Sequence, residues 1–341
     1  MIQGFDRTGY DRPGPRIRRG PLLMIVAALV FTVMVACVKI ARLELTALEI
    51  VLWRSASSIP LAWLLWRAPL VWSRGESGWT AGSRPSLRLV GRRWFVVRLF
   101  LGFGAMLSFF TAARGLDVAD LSLVSRLQPL VIVLLAPVVL GRTERSGGKT
   151  WGLLLLGLLG CAVLLGPELA VGSAYGAWAL AAVLFSAAAH VCLRALGPTD
   201  DPRTIVLWFQ CCVTVLALVT VVVQDGGLPV PPRAELWPAV LGVGALATLG
   251  QVIMTRAYAL DRAAVVSAAS HVSPLWAVGV DLLVFSVWPD GRTLLGGVIV
   301  LAAALGLVLL GSDAVEPVRP GVSSGRPTGE STPGPGSART H

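Results

Sequence analysis

Arg126 and His271 each stand three residues before a proline, Pro129 and Pro274, inside long apolar stretches of the 341-residue chain. A guanidinium offers five fixed donors that suit a carboxylate or phosphate, and an imidazole exchanges a proton near neutral pH. An ionisable group at the centre of a membrane helix costs about 2.5 to 3.5 kcal/mol, so one that persists there faces a cavity or a partner. The chemistry expected of the pair is recognition of a small polar solute, with Arg126 binding an anionic group and His271 binding or exchanging protons. Interhelical hydrogen bonding by Arg126 and a plain core role for His271 are the bland alternatives, and the residues leave both open.

Arg54, Arg98, His190 and Asp281 are the other ionisable groups singled out as intramembrane candidates within the apolar runs. Arg54 needs a carboxylate or carbonyl partner and is also a candidate for the substrate site. Asp281 lies ten residues beyond His271, about 15 Å along a helix. It is expected to form an ion pair with Arg54, with proton coupling as its second reading. Tyr258 and Trp276 are the aromatic candidates for the substrate site. Pro129 and Pro274 each free a carbonyl about one turn upstream, which makes them candidate hinges; a bend needed only for packing explains them equally well.

The elements that must position these groups follow from composition. The chain is 55% hydrophobic and 14% charged, with a mean hydropathy of +0.74, which excludes a soluble domain with a polar surface and makes lipid the solvent for most of it. Runs long enough to cross a bilayer fall near 21–39, 46–66, 94–113, 119–140 and 150–167, then near 174–194, 204–224, 235–256, 263–287 and 293–311. The order repeats: Ala113-Arg114-Gly115-Leu116-Asp117, then Arg126 and Pro129, then an acidic turn at Gly141 to Glu144, then a Gly-rich helix from Trp151. Ala257-Tyr258-Ala259-Leu260-Asp261, His271 and Pro274, the turn Trp288-Pro289-Asp290-Gly291, and a Gly-rich helix from Leu294 follow in the same order.

Five crossings per copy set the second copy upside down relative to the first. The expected fold is therefore an all-α integral membrane protein with ten transmembrane helices in two inverted five-helix repeats. The organisation read from the sequence is a disordered N-tail at 1–20, repeats at 21–167 and 168–311, and a disordered C-tail at 312–341. Lys and Arg concentrate before Pro21 (five), in the 67–93 loop (six), at 141–150 (three) and in the C-tail (three). By the positive-inside rule both termini are then cytoplasmic. Orientation also accounts for the net charge of +10, so no nucleic-acid partner is implied. The 67–93 loop reads as a topology-setting linker that can rest on anionic headgroups. The five cysteines, all within apolar runs, have no metal-site or disulfide spacing and read as packing residues.

In this order and duplication the chain resembles the drug/metabolite transporter superfamily, and within it the EamA family. Arg54 in Val51-Leu52-Trp53-Arg54 matches the arginine deep in the family's second helix. Pro129-Leu130 through Gly141 to Glu144, followed by Gly152 to Gly160, matches its proline-led fourth helix, Gly-acid turn and Gly-rich fifth helix. The second copy departs from the pattern, with Asp290 where the family has Glu and Pro289 before it. The resemblance implies a ten-helix carrier of the inner or plasma membrane that moves small metabolites by alternating access.

The function expected is a gradient-driven transporter, an exporter of amino acids or related anionic or zwitterionic compounds. Its partners are a small-molecule substrate, membrane lipid and a proton or other coupling ion, and it acts as a monomer or homodimer. A drug or lipid-linked metabolite carrier, and a non-transporting receptor or assembly factor, are the alternatives. An enzyme is not expected: the three histidines, one of them the last residue, form no cluster. Neither His-Glu-x-x-His, Gly-x-Ser-x-Gly nor a phosphate-cradling loop occurs, and no metal or cofactor is implied.

Overall fold

Where lipid replaces water, backbone polar groups must be satisfied within the segment, and the sequence answers with helices. A computed structural model describes residues 18–41, 45–68, 86–112, 115–116, 118–165, 174–226, 233–286 and 288–309. The described residues are helical and contain no strand: α1 (Arg19–Ala41), α2 (Ala47–Arg67), α3 (Arg92–Ala112), α4 (Val118–Ser125), α5 (Gln128–Leu140) and α6 (Gly148–Leu165) precede α7 (Ala174–Leu196), α8 (Pro202–Asp225), α9 (Trp237–Leu260), α10 (Ala263–Ala269), α11 (Ser273–Phe285) and α12 (Gly291–Leu309). Eight segments among the described residues are long and apolar enough to cross a membrane: Leu48–Arg67, Leu121–Leu140, Gly148–Leu165, Ala174–Leu196, Pro202–Gln224, Ala234–Leu260, Ala263–Val280 and Gly291–Leu309. The runs expected at 21–39 and 94–113 correspond to α1 and α3, which are not among the eight. The tails, apart from 18–20, and residues 69–85 of the expected loop lie outside the described residues.

Two of the eight crossing segments are interrupted. Leu121–Leu140 spans α4 and α5, whose junction at Arg126-Leu127 tightens to bonds from Arg126 N to Leu123 O (2.9 Å) and from Leu127 N to Val124 O (3.0 Å). Ala263–Val280 spans α10 and α11, joined by a 3-10 turn over Ser270–Val272. Pro129 and Pro274 explain both positions. Each lacks an N–H and crowds the carbonyl four residues earlier, so the helix breaks just upstream of the ring.

The packing is reciprocal: α1 lies along α9 and α3 along α7, while α2 meets α8, α6 meets α12 and α5 meets α10. Without a hydrophobic drive between helices in lipid, small residues and interhelical hydrogen bonds hold such contacts. A methyl group on Gly296 of α12 would sit 2.5 Å from Leu164 N of α6, so those backbones touch. Between α2 and α9, Ser58 Oγ donates to Gly244 O at 2.9 Å.

One end of the bundle is tied by polar groups. Both oxygens of Asp200, in the turn after α7, accept from the backbone at the start of α3, from Val90 N at 2.7 Å and Gly91 N at 2.8 Å. Arg203 Nη1 donates to Ala68 O at the end of α2 (2.9 Å), and Arg18 pairs with Asp261 at 2.9 Å. Glu144 is 4% exposed. Its Oε1 accepts from Arg194 Nε at 2.9 Å, and its Oε2 accepts from Ala263 N, the first residue of α10, at 3.0 Å. Arg194 Nη1 also donates to Tyr258 O and Ala259 O, so Glu144 and Arg194 together gather the ends of α5, α7 and α9 and the start of α10.

Candidate functional site

A cavity of about 270 Å³ lies between α3, the α4–α5 break, α7, α8 and α9. Arg98, Met106 and Phe109 reach it from α3, Ser125 and Gln128 from either side of the break, and Ser186 and His190 from α7. Phe209 of α8 and Gln251 and Met254 of α9 complete the part that carries polar or bulky groups. Helices that bury mostly Leu, Val, Ala and Gly elsewhere thus converge their polar side chains on one space, the usual form of a small-molecule site.

Arg98 is 5% exposed, with Cζ 4.2 Å from the centroid of the Phe209 ring. Its Nη1 has no hydrogen-bond partner, and neither has Gln251 Oε1. His190 Nδ1 is 2.7 Å from both Ser186 O and Gln128 Nε2. It either donates to the carbonyl or accepts from the amide, and the imidazole tautomer selects which. His190 Nε2 lies 3.4 Å from Met254 Sδ, and the ring is 5.2 Å from that of Tyr258.

Arg126 and His271 meet beside this space, at the two helix breaks. Arg126 Nη1 donates to Ser270 O at 3.2 Å, and His271 Nε2 stands 3.2 Å from Arg126 O. His271 Nδ1 is 2.9 Å from Ala268 O, so both ring nitrogens face carbonyls, and a neutral imidazole donates to only one of them. The buried imidazole rests on α6, where Gly157 leaves room for it and Cys161 Sγ donates to the backbone carbonyl of His271 at 3.4 Å. Ser125 and Gln128, the neighbours of the Arg126-Leu127 junction, line the cavity, whereas Arg126 and His271 are not among its lining residues.

The other sequence candidates are dispersed. Tyr258 is 1% exposed and packs on His190. Trp276 Nε1 donates to Ile25 O at 3.2 Å, joining α11 to α1. Arg54 Nη2 approaches Met106 Sδ at 4.0 Å, while its Nε has no partner. The expected Arg54–Asp281 pair rests on a side chain, that of Asp281, that lies outside the described residues, as do Arg114 and Asp117. Gln128 and Gln251 were not singled out from sequence. Their signal was a carboxamide within an apolar run, and for Gln128 its place between Arg126 and Pro129.

Outside the spans, the two acids that close the repeated motifs differ. Asp261 is held above the ordinary carboxylate range by burial, against the pull of Arg18. Asp290 is exposed and held below that range by its hydrogen bonds to Thr293, whose N–H it caps at 2.8 Å. Among the described residues no three His, Cys, Asp or Glu side chains converge as metal ligands.

The sequence profile of the EamA-like transporter family matches residues 18–166 and again 174–309. This chain belongs to the EamA-like transporter family. It is 30% identical over 292 residues to the pseudopaline exporter of Pseudomonas aeruginosa, covering 85% of this chain and 96% of that protein. It is 26% identical over 223 residues to the riboflavin transporter of Vibrio cholerae, covering 65% of this chain and 73% of that one. A crystal structure at 19% identity superposes with a TM-score of 0.65 over 85% of this chain and 97% of the other, which establishes the fold alone. The chain is thus a multi-pass membrane transporter of a small molecule rather than an enzyme.

Proposed function

We propose that this EamA-like protein is a gradient-driven exporter of small polar metabolites, amino acids or related anionic and zwitterionic compounds, working by alternating access through the cavity between α3, α7, α8 and α9. The observation that carries this reading is a space of about 270 Å³ with mostly apolar walls, onto which Arg98, Gln128, His190 and Gln251 converge from helices of both halves. Its size, just under the ~300 Å³ at which drug-sized pockets begin, suits a small metabolite. The exporter among the relatives supports the direction.

The reciprocal packing of α1 on α9 and α3 on α7, together with the two profile matches, supports ten spans as inverted repeats, at 21–167 and 168–311, with α4–α5 and α10–α11 as the two broken fourth helices. With both termini cytoplasmic, the Glu144–Arg194 cluster is the cytoplasmic closure. Pro129 and Pro274 are then the hinges, and Arg126 and His271 couple the breaks while His271 or His190 exchanges the coupling proton. Arg54, Tyr258 and Trp276 border the path, and Asp281 is a proton-coupling or ion-pairing carboxylate near its outer end.

A thermal-shift screen of the purified protein in detergent tests the reading with amino acids, organic anions, sugar phosphates, polyamines and quaternary cations. A ligand at 100 times its dissociation constant stabilises the folded state by about 2.7 kcal/mol. A hit among amino acids or organic anions is expected; hits confined to polyamines or quaternary cations would overturn the substrate class, and silence across all classes would overturn the small polar metabolite as substrate.

A further inference from the structure

Among the described residues, the cavity contains a cation with no anion beside it. Arg98 is buried, its Nη1 has no partner, and neither Asp nor Glu is among the residues lining the space. The Phe209 ring covers one face of the guanidinium at 4.2 Å. That contact fixes the plane of the fork and leaves its N–H edge for a ligand. A buried charge removed from water costs several kcal/mol unless it is paired and hydrogen-bonded. Arg54 and Arg126 also hold an unpartnered Nε, but neither lines the cavity.

We propose that Arg98 is the anion-recognition residue of the cavity and that the ligand is a small organic carboxylate with an apolar body. The inference rests on the cavity being the substrate site. A planar carboxylate accepts from the guanidinium edge through charge-assisted hydrogen bonds, which are among the strongest available in such a site. Gln251, with its unpartnered oxygen, and the Gln128–His190 pair supply neutral donors and acceptors for the remaining polar atoms of the ligand. Met106, Phe109 and Met254 give the apolar body a polarisable wall. An ammonium finds neutral acceptors there and a repelling cation, so cationic ligands are excluded and an amino acid is held by its carboxylate.

Three probes that share a phenylethyl body and carry different charge separate the possibilities: 3-phenylpropionate, 3-phenylpropanol and phenethylamine, titrated against the full-length protein in detergent with melting temperature as the readout. The expected result is stabilisation by 3-phenylpropionate, none by phenethylamine, and at least a tenfold loss of affinity for the carboxylate in Arg98→Gln. Arg98→Lys keeps the charge without the fork and is expected to fall between the two. Should Arg98→Gln not fold, Phe209→Leu removes the ring that orients the guanidinium and is expected to weaken carboxylate binding at least threefold. Preferential stabilisation by phenethylamine or 3-phenylpropanol, or carboxylate binding unchanged in the folded variants, overturns the assignment of Arg98 while leaving the cavity as a binding site. Failure of all three probes to bind overturns both the assignment and the cavity reading beneath it.

Discussion

Arg126 and His271 tie the two helix breaks together, each side chain reaching backbone on the other's segment: the guanidinium of Arg126 donates to the carbonyl of Ser270, while the imidazole of His271 meets the carbonyl of Arg126 at 3.2 Å. The two groups are 145 residues apart, each just before the proline that breaks its own helix. Exchanging partners across the two breaks makes the position of one depend on the other.

This reciprocity predicts non-additive mutants. Arg126→Ala and His271→Ala are each expected to lower transport at least tenfold while leaving a folded, monodisperse protein, and the double variant is expected to be no worse than the weaker single one. Transport assays on the three variants beside the wild type measure the coupling; strictly multiplicative losses would mean that the two residues act independently.

The seat of His271 can be probed without touching the ring. A methyl group at Gly157 would meet His271 Nδ1 at 3.2 Å, whereas one at Gly152 on the same helix has open space. Gly157→Ala is expected to displace the imidazole and depress transport several-fold. Gly152→Ala is expected to leave transport intact and raise helix stability by up to about 1 kcal/mol, the usual gain from replacing an unneeded helical glycine.

The Glu144–Arg194 cluster predicts a stability effect at the end of the bundle. Glu144→Ala strands the Arg194 guanidinium and uncovers the first N–H of α10, and the loss is expected to be about 3 kcal/mol, the lower end of what breaking a buried pair costs, because Arg194 is partly solvated. Glu144→Gln keeps the shape and one acceptor oxygen but turns its NH2 toward the second N–H donor, and is expected to recover only part of the loss. Melting temperatures of Glu144→Ala, Arg194→Gln and the double variant, taken as a double-mutant cycle, check the pairing.

Asp261 predicts a pH dependence of unusual sign for a carboxylate. Burial holds its folded-state pKa above the unfolded value, so the native state binds the proton more tightly. That contribution favours the folded state most below the unfolded pKa and is lost as pH rises through the raised value. Asp261→Asn is therefore expected to flatten the fall in melting temperature on the acid side of neutrality, and an unchanged slope in the variant would contradict the assignment.

The duplicated pattern was legible because chemistry and proline recur at matched positions, and the breaks beside Pro129 and Pro274 follow from the missing N–H of proline. The cavity was not legible in the same way. Arg98, His190, Gln128 and Gln251 sit on four separate helical segments, and nothing in their linear spacing marks them as neighbours. Glu144 read as the acid of a membrane-end turn, but its partners Arg194 and Ala263 are 50 and 119 residues away, so its clamping role emerges only from packing. Gly157, one of several glycines in α6, gains its meaning only from the imidazole set against it.

Solute flux in proteoliposomes under an imposed pH gradient tests the central claim most directly, with labelled amino acids and small organic acids offered to wild type, Arg126→Ala, His271→Ala and Gly152→Ala. The account predicts accumulation of at least one of these solutes against its own gradient by the wild type and Gly152→Ala, and at least tenfold less by the other two. Absence of flux from every solute, or gradient-driven flux that is equal in all four proteins, would contradict it.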